Sequence, residues 1–184
     1  MIDSREASAA LAEIDDIVQR VKQSRIYDLA SQMMILWGVL VFVANIATWL
    51  WPREAYYYWL AVYVLGIAGS FAISSANQTS TGVRSFDMRM LIAFLMFVAF
   101  GFLCAHVLGH FTPRQQGAFW TIYFMLFYAL AGLWFGYAFV VIALAITTLT
   151  LVGYFFVTGD TFLPWMAVVN GGGLIVGGLW MRRS

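Results

Sequence analysis

Charge is what this sequence has least of. Asp, Glu, Lys and Arg make up 10% of its 184 residues, where a soluble domain carries about 25%. With 62% hydrophobic residues, there is more apolar surface than one core can bury, so part of the chain must face lipid. A net charge of +1 excludes the basic footprint of a nucleic-acid binder. The single cysteine, Cys104, excludes an intramolecular disulfide. Residues 1–28 are polar and mixed in charge, not a basic start followed by an apolar run. The first apolar segment is therefore expected to act as its own insertion signal.

Motifs of chemistry are also missing. There is no H-E-x-x-H, no G-x-S-x-G and no phosphate-binding glycine loop. Ser70 follows a glycine, but both histidines are expected at the opposite membrane face, which argues against a Ser–His hydrolase. No apolar segment carries an acid or base in mid-membrane, which argues against a proton carrier or a voltage sensor. The sequence predicts no cofactor.

What is present is a series of apolar runs. About 20 residues cross a bilayer core of roughly 30 Å. Six segments meet that length: Ser31–Trp51, Ala55–Ala76, Met90–His110, Gly117–Tyr137, Ala138–Val157 and Phe162–Met181. Residues 115–159 carry no charge and as one helix would extend about 68 Å, so the run must fold back. The expected break is "GLWFGYAF", at Gly132 and Gly136. Backbone groups must pair within the segment in lipid, so the spans are expected to be helices. The fold class is thus all-α, a six-helix transmembrane bundle, with residues 1–28 as an N-terminal cytoplasmic amphipathic helix and 29–184 as the membrane domain.

Orientation follows from Lys and Arg, which stay cytoplasmic. Six spans put Arg5, Arg20, Lys22, Arg25, Arg84, Arg89, Arg182 and Arg183 on one side, and Arg53 and Arg114 on the other. Both termini are expected inside, in a multi-pass inner-membrane protein. The glycosylation-like "NQT" at Asn77 would also lie inside, where it has no meaning.

Several residues are candidates for a site. In "ASAALAEIDDIVQRVKQS", which Asp3 or Ser4 can cap, Leu11, Ile14, Val18 and Val21 form a narrow apolar stripe. It either extends the first span or receives a helix, from a cytoplasmic partner or a second copy. His106 and His110 share a helical face, suited to a metal or haem, but two imidazoles do not complete a site. Asn45, Thr147, Thr148, Thr150 and Asn170 overlap in depth; they either glue helices together or line a polar cavity. "NGGGLIVGG", Asn170 to Gly178, holds five glycines, each costing a helix about 1 kcal/mol relative to alanine. Gly173 and Gly177 are spaced for close helix contact. "WLAVYVLG" from Trp59 and "WMAVVNGG" from Trp165 form a faint internal repeat.

The "LAEIDDIVQRVKQSR" helix running into "MMILWGVLVF", with the closing "LIVGGLWMRR", resembles the uncharacterised small six-span inner-membrane proteins of bacteria. The hairpin layout is also similar to the short-repeat acid-resistance membrane family, whose G-x-x-x-x-G-P-like repeat this chain lacks. Three readings stay open. The favoured one is a non-catalytic membrane protein that binds a partner or itself through the N-terminal helix and glycine-rich faces. The second is a transporter or channel for a small neutral solute, and the third a metal or haem protein.

Overall fold

The computed structural model describes residues 4–81, 88–109 and 111–183; the side chains of residues 4–12, 15, 19, 22, 78–81 and 88–91 lie outside that description. Asp3, Arg84 and His110 are not among the described residues, nor are the side chains of Leu11, Lys22 and Arg89.

Helices account for nearly all of the described chain, and no strand occurs among the described residues. They are α1 (Ser4–Leu50), α2 (Ala55–Thr81), α3 (Met88–Val107), α4 (Pro113–Phe135), α5 (Tyr137–Phe156), α6 (Phe162–Met166) and α7 (Gly173–Met181). A π-helical segment, Ala167–Gly172, joins α6 to α7. Among the described residues, five helices are long and apolar enough to cross a membrane: 16–50, 52–77, 113–135, 137–156 and 159–181. The described apolar part of α3 is shorter, Ile92–Val107.

The ends of the helices follow from local chemistry. Thr112 caps α4 by accepting from the Gln115 amide, Gln115 answers the Thr112 amide, and Pro113 opens the first turn. Gly136 ends α4 with φ +131°, a left-handed conformation open to glycine. It is one of the two glycines expected to break the long uncharged run. The other, Gly132, stays helical and lies against Val140 and Phe139 of α5, closing the hairpin.

The N-terminal segment is not set off from the first span. α1 is one helix of 47 residues, about 70 Å long. Nothing in "VKQSRIYDLASQMM" breaks a helix, and Ser31 turns its hydroxyl back onto the Asp28 carbonyl. α1 is also the spine of the fold. Its Tyr27 meets Phe139 of α5 edge-on at 6.0 Å. Its Trp37 donates to Ser70 Oγ of α2 at 3.1 Å and fills the gap left by Gly66. Ser31, Met34 and Gly38 lie against α7 and the π segment.

The glycines of the last span divide between two neighbours. A Cβ on Gly171 would come within 2.6 Å of the Phe42 backbone, one on Gly38 within 2.8 Å of the Gly171 carbonyl, and one on Gly178 within 2.8 Å of the Ser31 carbonyl. These three let the backbones of α1 and the last span touch. Gly173 and Gly177 instead receive the side chains of Ile146 and Ile142 from α5. Around this seam lie the fully buried Met34, Met125, Met166 and Met181, whose flexible chains fill irregular gaps.

The repeat at Trp59 and Trp165 does not carry equivalent contacts. Gly66 sits against Trp37, whereas the matching Gly172 has only the Ala167 carbonyl, at 4.0 Å. α3 is held to α4 by aromatic contacts: Phe97 stacks on Tyr123 at 4.1 Å, and the Tyr123 hydroxyl donates to the Phe97 carbonyl at 2.8 Å.

Gly171 and Gly172 provide a direct contrast. Gly171→Ala is expected to destabilise the protein by about 1–3 kcal/mol, because backbone must move to admit the methyl group. Gly172→Ala, with open space beside it, is expected to be neutral or to stabilise by up to about 1 kcal/mol. Unfolding in detergent measures both, and equal effects would contradict the seam.

Candidate functional site

The projecting part of α1 is the first candidate. From Glu13 to Arg25 every residue with a described side chain is exposed, and burial begins at Tyr27. Gln23 and Tyr27 close over the α4–α5 turn, where a side chain on Gly136 would collide with the Tyr27 hydroxyl. Beyond that contact the helix leaves the bundle. Ile14, Ile17, Val18 and Val21 are 55%, 53%, 58% and 50% exposed, so these four side chains are uncovered; Leu11, the other member of the expected stripe, lies outside the described side chains. Ile17 broadens the stripe, which a strict 3-4-3 reading misses. Asp16 and Arg20 pair at 2.7 Å on another face, both well exposed, where such a pair adds little stability.

The polar residues of the spans are only partly brought together. Asn170, in the π segment, donates to Thr121 Oγ1 of α4 at 2.9 Å, and Thr121 in turn donates to its own Gly117 carbonyl at 3.0 Å. Thr121 was missing from the sequence candidates. The only trace of it there is one threonine in the aromatic stretch "FWTIYF". Asn45 is buried but bonds back to its own helix, at the Val41 carbonyl, 2.8 Å. Thr147 is half-buried and Thr148 exposed.

Thr150 is fully buried, and its hydroxyl has no hydrogen-bond partner among the described residues. It lies one turn beyond Ile146, on the α5 face that fills Gly173 and Gly177, and so is directed at the π segment. Two apolar surface hollows are found. One of about 230 Å³ lies along Phe42, Val43, Ile46, Ala47, Leu50 and Trp51. The other, of about 190 Å³, lies along Phe119, Ile122, Tyr123 and Leu126. Neither includes Asn45, Asn170 or a threonine.

The remaining candidates have plain placements. His106 is exposed near the end of α3, and His110 is outside the described residues. No cluster of three His, Cys, Asp or Glu side chains occurs among the described residues. Ser70 accepts from Trp37 and has no histidine in that bond.

Arg114, read from sequence only as an orientation charge, has a specific job. Its guanidinium donates to the carbonyls of Gly153 (3.0 Å), Tyr154 (2.6 Å) and Val157 at the end of α5. It also lies over the Phe162 ring at 4.5 Å. A cation there adds a donor at the last carbonyls of α5, of which that of Gly153 also accepts from the Val157 amide, and meets the negative end of the helix dipole. Searches of family models, curated proteins and solved structures find no match to this chain.

The Asn170–Thr121 bond ties the π segment to α4. A double-mutant cycle of Asn170→Ala and Thr121→Ala is expected to give a coupling of about 0.6–2 kcal/mol. Additive effects would show that the bond contributes nothing. Arg114→Met is expected to lower the melting temperature by more than Arg114→Lys, whose cation still faces the end of α5 but lies less well over the Phe162 ring. Equal losses for lysine and methionine would contradict a role for the cation.

Proposed function

We propose that this chain is a non-catalytic inner-membrane protein that crosses the bilayer six times and assembles through its projecting N-terminal helix. Membrane insertion is supported by the apolar exterior. The chain exposes 12399 Å², against about 8,900 Å² for a compact soluble protein of its mass. Val39, Val43, Leu133, Leu144, Phe155 and Val176 are among the large apolar side chains on that surface. α3 serves as the sixth span, because its 20 residues extend about 30 Å.

The last span runs antiparallel to α1, with Gly178 at Ser31 and Gly171 at Phe42, and to α5, with Gly177 at Ile142 and Gly173 at Ile146. Arg114 sits at the end of α5. With these directions, Arg20, Arg25, Arg182 and Arg183 share one face and Arg53 and Arg114 the other, which supports cytoplasmic termini.

The observation that carries the functional reading is the uncovered stripe of Ile14, Ile17, Val18 and Val21 on a helix that has left the bundle. On the cytoplasmic side it faces water, and a contiguous apolar face in water marks an interaction site. The glycine faces are already filled by α1 and α5, which leaves the stripe as the assembly surface. Asn45 and Asn170 each bond to another group of the protein, and the two hollows described above do not reach them.

The full-length Ile14→Glu/Val18→Glu variant tests this. Its association, measured by cross-linking in membranes and by mass in nanodiscs, is expected to weaken at least about tenfold, with the melting temperature unchanged. Unaltered association would contradict the assembly role.

A further inference from the structure

The apolar stripe does not stop where α1 enters the bundle. At about 100° per residue, Ile14, Val21, Val39 and Leu50 fall within about 20° of one azimuth along the helix. Ile17, Val18, Val43 and Ile46 lie within about 60° of it. Val39, Val43 and Leu50 are 46%, 58% and 51% exposed. The hollow along Phe42, Val43, Ile46, Ala47, Leu50 and Trp51 lies on this same line. The face that carries Tyr27, Met34, Gly38 and Val41 points well away from it, into the protein.

From Ile14 to Leu50 the stripe extends about 54 Å, well beyond a hydrocarbon core of about 30 Å. Lipid therefore covers only part of it. Between the two apolar stretches, on the same azimuth, stand Arg25 and Asp28, both exposed. They are opposite charges three residues apart, about 4.5 Å along the axis.

We propose that the stripe is covered by a second copy of this chain, with the two α1 helices side by side and parallel. A second copy in the same membrane shares the orientation, so its stripe matches at every depth, in water and in lipid alike. A soluble partner covers only the projecting part. A two-fold axis along the membrane normal makes the contact self-complementary. It sets Arg25 of each copy against Asp28 of the other, in place of like charges facing each other alone. The groove beside Val43 and Leu50 receives the equivalent side chains of the second helix.

The proposal rests on the reading of the projecting helix as the assembly element. Its test uses full-length protein in liposomes at low density, with Cys104→Ser as background and one new cysteine per variant. Val21→Cys and Val39→Cys are expected to form disulfide-linked dimers under mild oxidation, at least about fivefold above two controls. Asp16→Cys, about 140° from Val21, and Leu126→Cys, exposed on α4, are those controls.

Arg25→Asp removes both ion pairs of the two-fold arrangement and is expected to lower cross-linking at Val21 by roughly twofold to thirtyfold. Arg25→Asp/Asp28→Arg restores it. Cross-linking at Val21 alone, or at control level for both sites, overturns the parallel pair. An unchanged yield with Arg25→Asp overturns its register. If association is lost in Ile14→Glu/Val18→Glu but neither cysteine cross-links, the assembly reading stands and the second copy does not. If association survives those glutamates, the assembly reading itself fails.

Discussion

The structure depends on one close approach, where the backbone of α1 at Gly38 meets that of the π segment at Gly171. A methyl group on either residue has no room. Lipid offers no hydrophobic drive to bring helices together, so association in a membrane relies on close van der Waals contact and hydrogen bonds. The seam supplies the first, and the Asn170–Thr121 bond beside it supplies the second. Glycines at 38, 171 and 178 set α1 against the last span, and Ile142 and Ile146 fill the neighbouring glycine notches from α5. With α1 fixed along this line, Trp37 can bond α2 and Tyr27 can close over the α4–α5 turn. The projecting end inherits its direction from the same contact.

The π segment belongs to this arrangement. Five glycines within nine residues weaken an α-helix, and here the helix does widen, over Ala167–Gly172. Close approach and weakening therefore occur together. The wider turn carries Asn170 to Thr121. A helix-to-helix bond thus lies where the backbone departs most from ideal geometry and compensates for the poorer intrahelical ones.

Much of the fold was legible in the sequence, because apolar length and breakers determine helix ends. The break at Gly136 followed from a glycine in an uncharged run too long for one span, and the structure has it at that residue. Less legible was whatever depends on a partner. The stripe of Ile14, Val18 and Val21 could be read from periodicity, but its continuity with Val39 and Leu50 required knowing that α1 runs unbroken through residue 28. Spacing marked Gly173 and Gly177 as a contact pair. It could not tell that side chains of α5 fill them while Gly171 and Gly178 meet the α1 backbone. Arg114 showed only its sign, since the carbonyls it caps lie about forty residues away. Asn170 was found but Thr121 was not, because one threonine among aromatics carries no periodic signal.

The central claim is that α1 is a single rigid rod, held in the bundle at Gly38 and free before Tyr27, so that the face of its projecting end and the face of its apolar span act as one surface. Pulsed electron–electron distance measurement tests it directly. Spin labels at positions 21 and 39 of one chain, diluted with unlabelled protein in liposomes and with Cys104 replaced by serine, report on the eighteen intervening helical steps. The account predicts a single narrow distribution near about 27 Å. A broad distribution, or one centred well below 20 Å (a bend or break of roughly that size), would contradict it.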